Sequence, residues 1–113
     1  MNKIRSVNLG GWFVLERWMT PTLFKDNNVE GNDETCFSIQ SPNKAKALNE
    51  HYKTWITKQD IGWLKDVGVN LVRIPIPWWL YGEGVYHKSV EYIDEALEMI
   101  NEIGLDFMLD LHT

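Results

Sequence analysis

Polar side chains interrupt three otherwise apolar stretches of this sequence: Glu16 follows Val7–Leu15, Arg73 lies within Val69–Pro75, and Asp110 and His112 close Leu105–Leu111. Trp18, Trp78 and Trp79 stand just beyond the first two stretches. Carboxylate, guanidinium and imidazole groups hydrogen-bond hydroxyls, and flat indole faces stack on the C–H faces of pyranose rings, so the combination points to a sugar. Each residue also has a plainer role. Arg73 can pair with a buried carboxylate to hold a sheet together, and His112 can be a core histidine bonded to backbone. Asp110 reads as structural, bonding a neighbouring strand or loop, and Glu16 can pair with the adjacent Arg17. Large aromatics can simply fill a core, the role assigned to Trp12, Trp55 and Trp63. What favours a site is placement: Glu16, Arg73, Asp110 and His112 all fall towards the C-terminal ends of candidate strands, the face on which barrels build active sites.

The elements that must position them follow from period and punctuation. Val7–Leu15 reads as a first strand containing two glycines. From about Thr20 to Asn43 the chain is polar and rich in turn signals, among them Pro21, Asp26-Asn27-Asn28, Gly31-Asn32-Asp33 and Pro42. Lys44–Trp55 is a run of helix formers. A second helix opens at Thr57, a candidate N-cap with Asp60 returning the capping interaction; it buries Ile61, Trp63, Leu64 and Val67 and closes at Gly68. Val69–Pro75 then reads as a buried strand stopped by Pro75 and Pro77. The pattern repeats: Ser89 caps a helix with Val90, Ile93, Ala96, Leu97, Ile100 and Ile103 at helical spacing, Gly104 closes it, and Leu105–Leu111 reads as another buried strand. Apolar strands alternating with helices predict an α/β fold with a parallel sheet. Three strands leave two unpaired edges, and a (β/α)8 barrel has eight strands in about 250 residues. The fold expected is therefore α/β, an N-terminal segment of about three βα units of such a barrel, with residues 1–113 as one incomplete domain and no linker.

Composition excludes several alternatives. The chain has 113 residues, 44% of them hydrophobic and 24% charged, as expected for a folded domain. A formal charge of −5 repels nucleic acid and anionic membranes alike. One cysteine, Cys36, cannot make an intrachain disulfide framework. No segment reads as a signal peptide or a membrane span. With Met1 as the true start the product is expected in the cytoplasm; a start further upstream would leave an extracellular location open. There is no Gly-rich phosphate loop, no metal-spaced His/Cys pair and no Gly-x-Ser-x-Gly elbow, so neither cofactor nor metal is expected.

Read in order, four segments resemble one family. Val7-Asn8-Leu9-Gly10-Gly11-Trp12-Phe13-Val14-Leu15-Glu16 is similar to the opening of the exo-β-1,3-glucanase branch of glycoside hydrolase family 5. Trp55-Ile56-Thr57 with Asp60 resembles its helix start, Val72-Arg73-Ile74-Pro75-Ile76 its second strand, and Leu109-Asp110-Leu111-His112 its third. The resemblance implies a (β/α)8 barrel that cleaves β-glucosidic bonds with retention. Carried over residue by residue, it makes Arg73 the arginine that supports the nucleophile carboxylate and His112 the histidine beside the sugar at the cleavage subsite. Glu16 is similar to a glutamate that binds hydroxyls of the terminal glucose, and Trp18 to an aromatic of the same pocket. Trp78 and Trp79 are further candidates. Arg17 stands where that branch has proline, Pro77-Trp78 replaces a Gly-aromatic pair and Thr113 replaces a glycine.

Retaining hydrolysis needs two carboxyl groups about 5 to 5.5 Å apart. In the family these are an acid/base glutamate after strand four and a nucleophile after strand seven, both beyond this sequence. No catalytic residue is therefore expected within the 113 residues, and Glu16 and Asp110 do not take those roles. The expected function is that of a segment of a retaining glycosidase of β-glucans or β-glucosides, contributing part of its glucose pocket. The competing expectation is a non-catalytic truncated product or carbohydrate-binding remnant, which should either self-associate to cover its sheet edges or remain partly molten. A third, a small doubly wound α/β protein, predicts no glucan binding.

Overall fold

The structure, a computed structural model, describes residues 3–111. Three strands, β1 (Ser6–Asn8), β2 (Leu71–Ile76) and β3 (Asp106–Leu111), form one parallel sheet in the order β1-β2-β3. Ser6 pairs with Leu71 and Asn8 with Arg73; on the other side Leu71 pairs with Asp106 and Ile76 with Leu111. Five helices fill the connections: α1 (Pro21–Asp26), α2 (Glu34–Gln40), α3 (Lys44–Thr54) and α4 (Lys58–Asp66) between β1 and β2, and α5 (Val90–Ile103) between β2 and β3. Alternation along β2 places Val72 and Ile74 against the helices, where they join Ile61, Ile93, Ala96 and Ile100 in the core. The parallel α/β architecture expected from the sequence is therefore present.

Several elements differ from expectation for identifiable reasons. The first strand stops at Asn8 instead of running to Leu15. Beyond it Leu9, Trp12, Phe13, Val14 and Leu15 are all buried, which no alternating strand can achieve, and Gly11 turns the chain at φ +73°. The polar stretch from Thr20 to Asn43 holds two short helices. Pro21 opens α1, where its missing N–H costs nothing, and the Asp33 side chain caps α2 by accepting the Cys36 amide at 3.0 Å. Helix α4 carries the expected capping box, with Asp60 N–H donating to Thr57 Oγ1 at 3.3 Å and Thr57 N–H to Asp60 Oδ2 at 2.9 Å. Its buried face is narrower than expected. Ile61 is buried and Leu64 half-buried, but Val67 is exposed and Trp63, assigned above to the core, is 63% exposed. Ser89 occupies the α5 N-cap position without a side-chain capping bond.

Strand β2 passes through Pro75 and ends before Pro77, so Pro75 does not stop it. The Leu71 N–H and the Arg73 C=O both point to the β1 side, bonding Arg5 O and Leu9 N. By alternation the Pro75 nitrogen points there too, where β1 has already ended, and its missing N–H leaves no ladder bond unmade. Strand β3, expected to be buried, exposes Phe107, Met108, Leu109 and Leu111 by 40 to 65%. It is an edge strand among the described residues, with α5 on one face only.

Candidate functional site

The loops that leave β1 and β2 at their C-terminal ends meet over α2. Between them lies a cavity of about 210 Å³ lined by Val14, Leu15, Glu16, Asp33, Glu34 and Thr35 on one side and by Trp78, Trp79 and Tyr86 on the other. Crevices at the carboxyl ends of parallel strands are where open α/β sheets bind ligands.

Glu16 reaches this rim because the buried segment Leu9–Leu15 carries it there, eight residues past the end of β1. Its backbone forms an isolated antiparallel bridge with Asp33, and its carboxylate accepts the Trp18 indole N–H. Trp18 is 77% exposed, so its ring is free to meet a ligand from solvent while its nitrogen is held by Glu16. Arg17 turns away from the cavity. Its guanidinium donates to the carbonyls of Val29 at 2.7 Å and Gly31 at 3.2 Å and lies over the Phe24 ring, pinning the loop that leads into α2.

The aromatic wall is layered. Tyr86 stacks on Trp79 with centroids 4.1 Å apart and planes 12° apart, and Trp78 meets both edge to face. Trp79 is buried while Trp78 is half-exposed, so Trp78 presents the accessible face. Thr35 Oγ1 and Tyr86 Oη lie 2.6 Å apart, joining the wall to α2. Trp12 and Trp55 are tied elsewhere: the Trp12 indole donates to Tyr52 O at 2.8 Å within the core, whereas Trp55, also assigned above to the core, is partly exposed and its indole donates to Gly10 O at 3.1 Å.

Sequence reasoning missed Glu34. It is 1% exposed and accepts the Leu15 amide with Oε1 at 3.0 Å and the Trp79 indole with Oε2 at 2.8 Å. Burial pushes its carboxyl up to about 7, opposed by those two donors. The signal was present: in a helix over 34–40, Glu34 shares a face with Phe37 and Ser38, both buried. It was hidden because the surrounding turn residues led to a loop assignment.

Arg73 sits in the central strand and does not line this cavity. Its guanidinium pairs with the Asp110 carboxylate across the β2–β3 ladder, each side chain about one-third exposed (39% and 31%). Asp110 thus bonds a neighbouring strand, as expected. The structure therefore joins Glu16, Trp18, Trp78 and Trp79 in one neighbourhood, and Arg73 with Asp110 in a second. His112 lies outside the described residues. Among the described residues no cluster of His, Cys, Asp and Glu could hold a metal ion.

No family model matches the chain. Individual relatives do: it is 38% identical over 118 residues to a glucan 1,3-beta-glucosidase of Blumeria graminis, and 40% identical over 116 residues to a probable glucan 1,3-beta-glucosidase A of Emericella nidulans. Each match covers 97% of this chain. It resembles part of a glucan 1,3-beta-glucosidase. The chain spans 28 to 29% of the length of these glucan 1,3-beta-glucosidases. In structure it superposes on AoRut with a TM-score of 0.86 at 25% identity, covering 98% of this chain and 33% of that one. It matches a rutinosidase from Aspergillus niger equally well at 24% identity, a likeness of fold. The glucan 1,3-beta-glucosidase resemblance spans nearly the whole chain, so it includes the segments that carry Glu16 and Arg73.

Proposed function

We propose that this chain is the segment of a retaining family 5 glycosidase of β-glucans or β-glucosides that supplies one side of its glucose-binding pocket, within a (β/α)8 barrel. The observation that carries the reading is the cavity at the C-terminal edge of the sheet, where an acidic side chain, Glu16, faces an aromatic wall led by Trp78. Glu16 accepts hydrogen bonds from sugar hydroxyls, and the exposed faces of Trp18 and Trp78 take the apolar faces of the ring. Arg73, on β2, holds and orients the nucleophile carboxylate that the family places after a later strand, and His112 contacts the sugar beside it. Neither Glu16, bonded to an indole, nor Asp110, paired with Arg73, is the acid or the nucleophile; the two carboxyl groups of retaining cleavage come from elsewhere in the enzyme.

The test separates binding from cleavage. The protein made as its gene encodes it should hydrolyse an aryl β-glucoside and laminaribiose, and Glu16→Gln should raise KM for laminaribiose about tenfold. Binding of laminaribiose without any hydrolysis would replace this reading with a carbohydrate-binding product, and neither binding nor hydrolysis would sink both.

A further inference from the structure

The two arms of the cavity come from distant parts of the chain, and one buried side chain ties them together. The Glu16 arm is the last turn of the segment leaving β1; the Trp78–Trp79 arm leaves β2. Glu34, at the start of α2, bonds the backbone of the first through Leu15 N–H at 3.0 Å and the second through the Trp79 indole at 2.8 Å. It is the one acidic side chain in the fully buried core of the described residues, and both its oxygens are used on these two donors. The flanking capping bond of Asp33 and the Thr35–Tyr86 contact fix α2 on either side of it, so Glu34 has little freedom to follow either arm.

We propose that Glu34 is the positioning residue of this cavity: by gripping Leu15 N–H and the Trp79 indole at once, it sets the gap between Glu16 and the Trp78–Trp79 wall in which one glucose unit is held. This rests on the sugar-binding reading above and names the residue that sets its geometry. The chemistry requires a carboxyl group. Glutamine is nearly isosteric but offers one acceptor oxygen and one donor NH2, so it cannot accept from both arms, and one buried N–H is left facing another.

The groups that face Glu34 are few. Asp33 precedes it, Glu16 lies beside Asp33 through their backbone bridge, the Tyr52 phenol approaches from α3 with its own ionisation pushed up by burial, and Tyr86 stands behind Trp79. None carries positive charge, so ionisation of Glu34 is felt directly by its two donors. A carboxylate accepts more strongly than a carboxylic acid, and the Trp79 N–H should report the change.

The experiment has two arms. In the first, the indole N–H resonance of Trp79, assigned by its loss in Trp79→Phe, is followed by 15N NMR as pH is raised. It should move with a midpoint near 7, and the movement should vanish in Glu34→Gln; a resonance that stays still from pH 5 to pH 9, or moves equally in the variant, overturns the proposal whatever the sugar results. In the second, laminaribiose is the probe. Glu34→Gln should raise its KM or Kd on the order of tenfold while kcat changes less than about twofold. In the Trp79→Phe background one acceptor suffices, so the same substitution should cost less than about threefold. An equal penalty in both backgrounds, or a loss confined to kcat, overturns the positioning role. A wild-type protein that shows no affinity for laminaribiose removes the sugar-binding reading, and the indole titration then decides the Glu34 link by itself.

Discussion

At the scale of single residues, the charged groups divide into those whose hydrogen bonds are wholly taken up inside the fold and those that keep part of their side chain accessible. Arg73 is paired with Asp110 yet keeps 39% of its side chain accessible. That leaves guanidinium donors for a second carboxylate, because its five N–H groups exceed what one partner can take. If Arg73 supports a nucleophile, Arg73→Ala should lower kcat on an aryl β-glucoside a hundredfold or more, on the scale of other lost charge-stabilising groups, and a near-normal kcat would remove Arg73 from the site. Glu34 makes a prediction about stability. It is protonated in both states below pH 4.5; between 4.5 and about 7 only the folded chain holds the proton, so stability declines as pH rises through that window and levels off above it. The raised carboxyl corresponds to about 3 kcal/mol. His51 and His87, whose imidazoles are pushed below their ordinary values chiefly by burial, work in the opposite direction: they favour the fold above pH 6.5 and weaken it as pH falls. The difference between wild type and Glu34→Gln in urea midpoint, measured at pH 5 and at pH 8, isolates the carboxyl. That difference should shrink at the higher pH.

At the scale of elements, what could be read in the sequence was what local chemistry decides. The Thr57–Asp60 capping box, the left-handed Gly68 and Gly104, and the apolar run of β2 each depend on neighbours along the chain; the box and the glycines are where the sequence placed them, and β2 is shifted only to Leu71–Ile76 from the expected Val69–Pro75. Trp63 and the end of β1 depend instead on what packs from elsewhere. A helical face too narrow to cover its tryptophan, and a loop whose side chains are all buried by α3 and its neighbours, leave no periodic trace. The site divides in the same way. Glu16, Trp78 and Trp79 could be read because they follow strand-like segments, whereas Glu34 needed the helix around it to be seen. The loop before α2 supplies a test at this scale. Gly31 holds φ +113°, and a Cβ there would lie 2.5 Å from Cys36 Sγ and 2.8 Å from Cys36 Cβ. Gly31→Ala should therefore destabilise the chain by about 1 to 3 kcal/mol in urea melts. Because the Gly31 carbonyl also receives Arg17, the same change should disturb the segment that presents Glu16.

At the scale of the whole molecule, the chain is long for its mass. Its extents are 48 × 25 × 20 Å and its radius of gyration 14.6 Å, against about 13 Å for a compact domain of this length. Among the described residues, sheet order leaves β3 at an edge with the apolar side chains of Phe107, Met108, Leu109 and Leu111 in the open. Produced as these 113 residues alone, the chain should self-associate through that edge, giving a sedimentation coefficient that rises with concentration. Leu109→Lys should suppress the rise, and a monomer at every concentration would show that the edge is covered some other way. The sheet is also unevenly joined in time. β2, α5 and β3 are consecutive and close over short separations, but β1 is held by only three residue pairs, flanked by a bond between Arg5 and Asn70, 65 positions apart. Closing so long a loop for so few ladder bonds should make the pairing of β1 slower to form than that of β2 with β3, an order that pulsed amide exchange during refolding would read. The glutamate-bearing arm of the cavity follows that strand but is anchored by its own buried Trp12, Phe13 and Leu15 and by the Leu15 N–H bond to Glu34, so the pocket draws its rigidity from the core and not from the short ladder that precedes it.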